Sequence, residues 1–191
     1  MSAIRLLVLG AVRERGRAHG YQVRADLESW GAHEWSTAKP GSIYHALKQM
    51  DRQGLLRAHE SAPSDAGGPP RVEYALSPEG DEEFLRLLRD ALSRHDQKID
   101  LLTAGVGFIA CLPRAEAVAL LRTRLAALEG WRSEVAKHWS DEESDPAAWG
   151  PVGEIMRLWV HFSDGGAAWT RGLIERLESG AYVMADDPQR T

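Results

Sequence analysis

The sequence predicts a mostly α chain with a small β-hairpin, built in two parts. Three observations carry this reading: three short apolar-periodic segments before residue 54, two extended segments flanking a Ser/Pro/Gly-rich stretch at 61–70, and sustained helical spacing after Pro78. Apolar residues recurring at intervals of three and four mark a helix, whereas alternation marks a strand. The parts divide into residues 1–78 and 79–191.

Ile4, Leu7, Val8 and Ala11 share one face of a helix running from about Ala3 to Glu14, which the polar, glycine-bearing stretch 13–20 ends. Val23, Leu27 and Trp30 stripe a second helix that begins near Gly20 and stops at Gly31. Pro40-Gly41 favours a turn, and Ile43, Leu47 and Met50 at i, i+4 and i+7 give a third helix its buried face. Gly54 terminates that helix, Leu55–Glu60 is extended, and Val72, Tyr74 and Leu76 alternate along a return strand. Ser77 then serves as N-cap, Pro78 takes the first helical position, and Glu79, Asp81, Glu82 and Glu83 favour the positive end of the helix dipole. Three helices, a two-stranded ribbon and a further helix form the winged helix-turn-helix order.

The third helix carries the candidate chemistry. At about 100° per residue, His45, Lys48, Gln49 and Arg52 fall opposite its apolar face, with Ser42 and Tyr44 on the flanks. In a DNA major groove, Lys and Arg meet phosphates or guanine edges and Gln reads adenine. Lys39 and Ser42, near the helix N-terminus, suit phosphate contact, whereas Gln49 and His45 suit base edges. Taken alone, the same face also fits an ordinary solvated helix surface. The wing adds Arg57 and Arg71.

Residues 1 to 80 resemble the PadR family of transcriptional regulators. The resemblance rests on His19-Gly20-Tyr21, Pro40-Gly41-Ser42-Ile43-Tyr44 followed by Ala46-Leu47, Gly54-Leu55, Arg71, Tyr74-Ala75-Leu76 and Glu79-Gly80, in that order and spacing. It implies that Tyr44 either touches DNA backbone or packs against the second helix. Arg71 matches a family arginine opening the return strand, but Val72 and Glu73 stand where many relatives carry further basic residues. The wing is therefore expected to position the domain and to contribute little electrostatic affinity.

The remainder reads as helical throughout. Phe84, Leu85, Leu87, Leu88 and Leu92 continue the helix begun at Pro78, and Ile99–Leu112 is largely apolar. Pro113 opens a long helix seamed by Val118, Leu121, Leu125, Leu128, Val135 and Trp139, with Arg132 interrupting. After a loop at 140–151, Val152, Ile155, Trp159, Phe162, Gly166, Trp169 and Leu173 repeat the spacing. The two seams predict an antiparallel helical hairpin, Gly165-Gly166-Ala167-Ala168 would admit a neighbouring backbone closely, and the tail after Gly180 is expected to fray. This arrangement is similar to the carboxy-terminal region of the longer PadR subfamily, in which paired helices exchange between subunits, and it implies a homodimer. Some PadR relatives bind flat aromatic effectors, so Trp131, Trp139, Trp159 and Trp169 have two readings: the lining of such a site, or the filling of core and dimer seam.

Charge and cysteine usage narrow the remaining classes. The net charge of −5 conceals a partition: residues 1–76 carry ten Lys or Arg against eight Asp or Glu, a net of +2, leaving 13 against 20, a net of −7, for residues 77–191. The amino-terminal part is thus compatible with a nucleic acid and the acidic part is expected to face away from phosphate. Cys111, the one cysteine, excludes an internal disulfide and multi-cysteine metal sites. The seven histidines include no His-Glu-x-x-His pair, the glycines form no phosphate loop, and neither a secretory signal nor a membrane span is visible. The expectation is a cytoplasmic, non-enzymatic homodimer that binds a double-stranded DNA operator as a repressor released by a small aromatic effector, with no metal or cofactor. The alternative is a protein-interaction adaptor that uses the winged helix and an acidic helical hairpin without DNA.

Overall fold

The computed structural model describes residues 2–60, 72–140 and 146–188. Helix α1 (Ala3–Arg15) buries Leu6, Val8, Leu9 and Val12. Strand β1 (Arg17–His19) and helix α2 (Gly20–Ser29) follow, then the single turn α3 (Ala32–Trp35) and helix α4 (Pro40–Arg52). Strands β2 (Leu56–Glu60) and β3 (Val72–Leu76) precede α5 (Pro78–Ser93). The wing tip at 61–70 and Arg71 lie outside the described residues.

Two short elements escape the sequence pattern. The expected two-stranded ribbon is a three-stranded antiparallel sheet, order β1-β3-β2, with β1 registering Arg17 on Ala75, Ala18 on Tyr74 and His19 on Glu73. A three-residue strand is too brief to show alternation, and its pairing comes from a segment more than fifty residues away. Likewise α3 has only four residues, so the helix expected third stands fourth. The cap at Ser77 forms as the sequence predicts: its hydroxyl accepts the Gly80 N–H at 3.0 Å and donates to the Gly54 carbonyl at 2.6 Å. That pair ties the start of α5 to the end of α4.

The chain forms two compact units, residues 1–91 with 97–108, and residues 92–96 with 109–191. The first unit therefore extends through most of α5 and α6 (Ile99–Gly107), where sequence alone suggests a division at 78/79. In it, α1 packs against α2, α4, α6 and β3, burying Leu27, Ile43, Leu47, Met50, Leu56, Phe84 and Leu87. Arg5–Glu83 at 3.1 Å and Arg13–Asp81 at 2.6 Å tie α1 to α5.

In the second unit a 3-10 turn (Ile109–Cys111) leads into α7 (Arg114–Ala136), and α8 (Pro146–Glu178) runs antiparallel to it. The ion pairs Arg122–Glu178 (2.6 Å), Arg171–Glu129 (2.9 Å) and Arg132–Asp164 (3.3 Å) fix this direction. The hairpin is as expected, but its α8 seam is not. The buried stripe is Ser163, Ala167, Thr170, Leu173, Ile174 and Leu177, so that Leu173 of the expected seam is buried, while Val152, Ile155, Trp159, Phe162 and Trp169 are exposed. Small side chains let two helices approach and fill the interface, whereas periodicity counting favours large apolar ones. Gly165-Gly166 gives no close approach among the described residues: a Cβ at Gly166 would meet Leu128 at an ordinary 3.7 Å, and one at Gly165 would meet nothing within 4 Å.

Three further features depart from expectation. Residues 146–149, read as loop, are helical, and Gly150 at φ 48° breaks the helix before Pro151; the acidic run at 141–145 lies outside the described residues. The segment after Gly180 is tied down as far as 187, because Arg114 donates to the Leu177 and Tyr182 carbonyls and pairs with Asp187, and Ala185 N–H bonds the Leu112 carbonyl at 3.2 Å. Arg124 is buried and donates to the Arg94 carbonyl, with its Nε unmatched among the described residues. Burial without a carboxylate partner lowers its pKa.

Candidate nucleic-acid interface

Helix α4 separates its two faces cleanly. Ile43, Ala46, Leu47 and Met50 are buried, and Tyr44, His45, Lys48, Gln49 and Arg52 are exposed. No hydrogen bond, ion pair or ring contact among the described residues engages the side chains of His45, Lys48, Gln49 or Arg52. Unpaired Lys and Arg on a rigid helix retain their full donor capacity for an external anion.

Both ends of the helix are anchored. Pro40 holds the first position, and the Ser42 hydroxyl accepts the Lys39 N–H at 3.0 Å while lying 2.9 Å and 2.8 Å from the Thr37 and Lys39 carbonyls. Ser42 is therefore half-buried and committed to its own helix N-terminus, whereas Lys39 is exposed. At the other end, Asp51 accepts the Ala58 N–H at 3.2 Å, which joins α4 to the wing. Beneath that contact the Tyr74 phenol is pushed up, first by burial and then by the Asp51 carboxylate.

Tyr44 packs as the second-helix reading has it. A Cβ on Gly20 would sit 2.5 Å from Tyr44 Cε1, so the ring lies against the first residue of α2 and requires glycine there. The side chain remains 41% exposed, leaving its outer edge available.

The sheet displays cations that the sequence pattern did not bring together. Arg17 of β1 and Arg57 of β2 both register on Ala75, and His19 and His59 both register on Glu73. Residues registered on one another share a face, so all four lie opposite the face of buried Ala18 and Tyr74; Arg17 and Arg57 are exposed and His19 and His59 half-buried. His19 Nε2 lies 3.2 Å from the Glu73 carboxylate. Arg57 is exposed beside Glu79, whose carboxyl is held low chiefly by hydrogen bonds from its own backbone and Ser77, with Arg57 adding to the effect. Arg17 was hidden because its strand looks like loop; the polar–apolar–polar triplet Arg17-Ala18-His19 was the only signal. Arg71, the other wing cation, is outside the described residues.

Trp131, Trp139, Trp159 and Trp169 differ in burial within the one chain. Trp139 is buried with its indole N–H unmatched among the described residues, Trp131 is half-buried, and Trp159 and Trp169 are 53% and 40% exposed. Among the described residues no ring contact joins any two of them, and no cluster of His, Cys, Asp and Glu is placed to hold a metal ion. No helix among those residues is long and apolar enough to cross a membrane.

Residues 8–86 match the model of the transcriptional regulator PadR-like family. Solved structures similar to the chain include Bacillus subtilis PadR in complex with operator DNA, at 20% identity over 91% of this chain and 98% of that one, with a TM-score of 0.39. Bacillus subtilis PadR in complex with p-coumaric acid is 19% identical over 92% and 96% of the two chains, with a TM-score of 0.37. A PadR family transcription regulator from hypervirulent Clostridium difficile R20291 is 27% identical over 44% and 80%, with a TM-score of 0.35. Among curated proteins, none matches. Residues 8–86, the segment that carries the order of helices and strands from α1 to α5, thus match the transcriptional regulator PadR-like family.

Proposed function

We propose that the protein is a cytoplasmic, sequence-specific DNA-binding regulator, active as a homodimer and acting as a repressor whose hold on a double-stranded operator is relieved by an effector. One observation carries the DNA reading: the exposed face of α4 presents His45, Lys48, Gln49 and Arg52 without intramolecular partners, on a helix anchored at both ends. In the major groove Lys48 and Arg52 would meet phosphates or guanine edges, and Gln49 and His45 would meet base edges. Lys39, at the helix N-terminus, and Arg57 and Arg71, on the wing, would meet backbone. Ser42 would act through the helix N-terminus it holds in place, and Tyr44 with its exposed edge.

The homodimer rests on the unpartnered apolar stripe of α8. A single copy of α4 reaches few base pairs, and two copies in fixed register would supply the rest of the specificity. The effector would bind apart from the α4 face, and Trp131, Trp139, Trp159 and Trp169 of the second unit are candidates for its site.

Mobility-shift titrations across a salt series test the proposal. Lys48→Ala is expected to weaken binding to all sequences and to lower the slope of log K against log salt by about one per half-site. Gln49→Ala is expected to relax preference at one base-pair position, at a cost of about 1–3 kcal/mol. Wild-type protein that shifts no DNA at low salt contradicts the proposal and leaves the adaptor reading, in which the winged helix and hairpin dock a protein.

A further inference from the structure

The first unit commits most of its arginines to internal ion pairs. Arg5, Arg13, Arg15, Arg24 and Arg86 each bind a carboxylate. Arg17 of β1 and Arg57 of β2, like Arg52 of α4, have no hydrogen-bond or ion-pair partner among the described residues. Arg17 and Arg57 are both exposed and both register on Ala75 of the central strand. Two strand spacings, roughly 10 Å, separate them. Only the methyl group of Ala75 stands between, so the two guanidinium groups share open space above one sheet face.

Two residues along the same face, Glu73 lies between His19 and His59. His19 is already engaged: its Nε2 lies 3.2 Å from the Glu73 carboxylate, and its ring stacks on Tyr21 with centroids 5.4 Å apart and planes at 13°. Glu73 is the one carboxylate that the described strand residues place on this face, and Glu79, at the start of α5, lies beside Arg57.

The composition of the face selects the kind of partner. Its described strand residues are Arg17, His19, Arg57, His59, Glu73 and Ala75, with none of the large apolar side chains that form the centre of a protein interface. An open sheet face also gives a small anion no enclosure. An extended polyanion needs neither, because regularly spaced phosphates bind arginine by charge and paired hydrogen bonds. The position of the pair fits a polyanion that already lies along α4. The Asp51 carboxylate accepts the Ala58 N–H at 3.2 Å, which sets β2 beside the end of α4 that carries Arg52; β3 and then β1 follow outward from it.

We propose that Arg17, together with Arg57, holds the phosphate backbone of the duplex beyond the groove that α4 enters, so that β1 is a DNA-contacting element as well as a strand of the sheet. This contact carries no sequence information; it adds affinity and fixes the orientation of the domain on the duplex. It rests on the DNA-binding reading above and extends that reading to a residue outside both α4 and the wing.

Anisotropy titrations of a labelled mixed-sequence duplex with the full chain, across a salt series, separate this contact from that of α4. Arg17→Ala is expected to lower the slope of log K against log salt by about one per chain, as Lys48→Ala does, and Arg17→Lys to keep the wild-type slope. The urea midpoint of Arg17→Ala should match the wild type, since the side chain has no partner to lose. Glu73→Gln, which takes the carboxylate off this face, is expected to tighten binding by about two- to fivefold, the scale of an exposed charge contact and a gain that misfolding cannot produce. Two results would overturn the proposal and leave the α4 reading standing: Arg17→Ala with the full wild-type slope while Lys48→Ala loses its share, or Glu73→Gln with weakened binding. Wild-type protein that shows no salt-dependent binding would remove both.

Discussion

Gly80 stands in the first turn of α5, where a methyl group would come within 2.0 Å of the Leu55 carbonyl oxygen. That oxygen is backbone and already accepts the Ser77 N–H at 3.0 Å, so it cannot retreat without loosening the cap that joins α4 to α5. Gly80→Ala is therefore expected to destabilise the protein by about 2–3 kcal/mol, at the upper end of overpacking costs, measured by urea denaturation; a loss below 0.5 kcal/mol on the same rough scale would contradict the contact. Glu83, on the same helix, gives a pH test. Arg86 first, and Arg5 with it, hold its carboxyl below the ordinary value. A carboxylate depressed in the folded state adds stability above its unfolded pKa of about 4.3 and loses it as pH falls through the folded value. Glu83→Gln should accordingly cost up to about 1 kcal/mol at neutral pH and nothing at the acid end. An equal cost at both ends would show that the carboxylate charge is not what matters. Ser77 and Gly80 were legible in sequence because a capped helix start has a local signature. The Phe108–Gly10 and Tyr44–Gly20 contacts were not, since the partners are far apart in the chain and glycine records no partner.

Helices with a single broad apolar stripe, such as α1, α2 and α4, were legible from spacing, and the boundaries fall within one or two residues of expectation. β1 and α3 were too short to carry a period. α8 shows a different limit: two stripes of one helix competed, and the sequence favoured the one with the larger side chains. Val152, Ile155, Trp159 and Phe162 recur at three- and four-residue intervals along the exposed side, and Trp169 follows two turns on, with Phe162 69% exposed. A contiguous apolar ridge of this length on an exposed helix face wants a partner. A homodimer that uses it should weaken by more than about 30-fold on Phe162→Glu, the scale of an interface hot spot. Light scattering across a dilution series would show it, and because Phe162 touches solvent the fold should survive. A wild-type monomer, or a variant dimer of unchanged affinity, would remove this stripe from the interface.

Charge is partitioned along the chain more than between the units. Residues 1–76 carry a net of +2, but the unit that holds α4 also contains the acidic start of α5, so the basic excess belongs to the part of that unit that precedes α5. With Arg57 beside Glu79 and Glu73 opposite two histidines, the sheet is only mildly basic, so in the proposed reading most of the sequence-reading burden would fall on Lys48, Gln49 and Arg52 and on having two copies of them. Selecting bound sequences from a random DNA pool with the purified full chain tests this most directly, in parallel with a Lys48→Ala, Gln49→Ala, Arg52→Ala triple variant. The account predicts an enriched inverted repeat with half-site centres about 10–10.5 base pairs or a multiple apart, and its loss in the triple variant. No enrichment by the wild-type protein, or the same motif enriched equally by the variant, would contradict it.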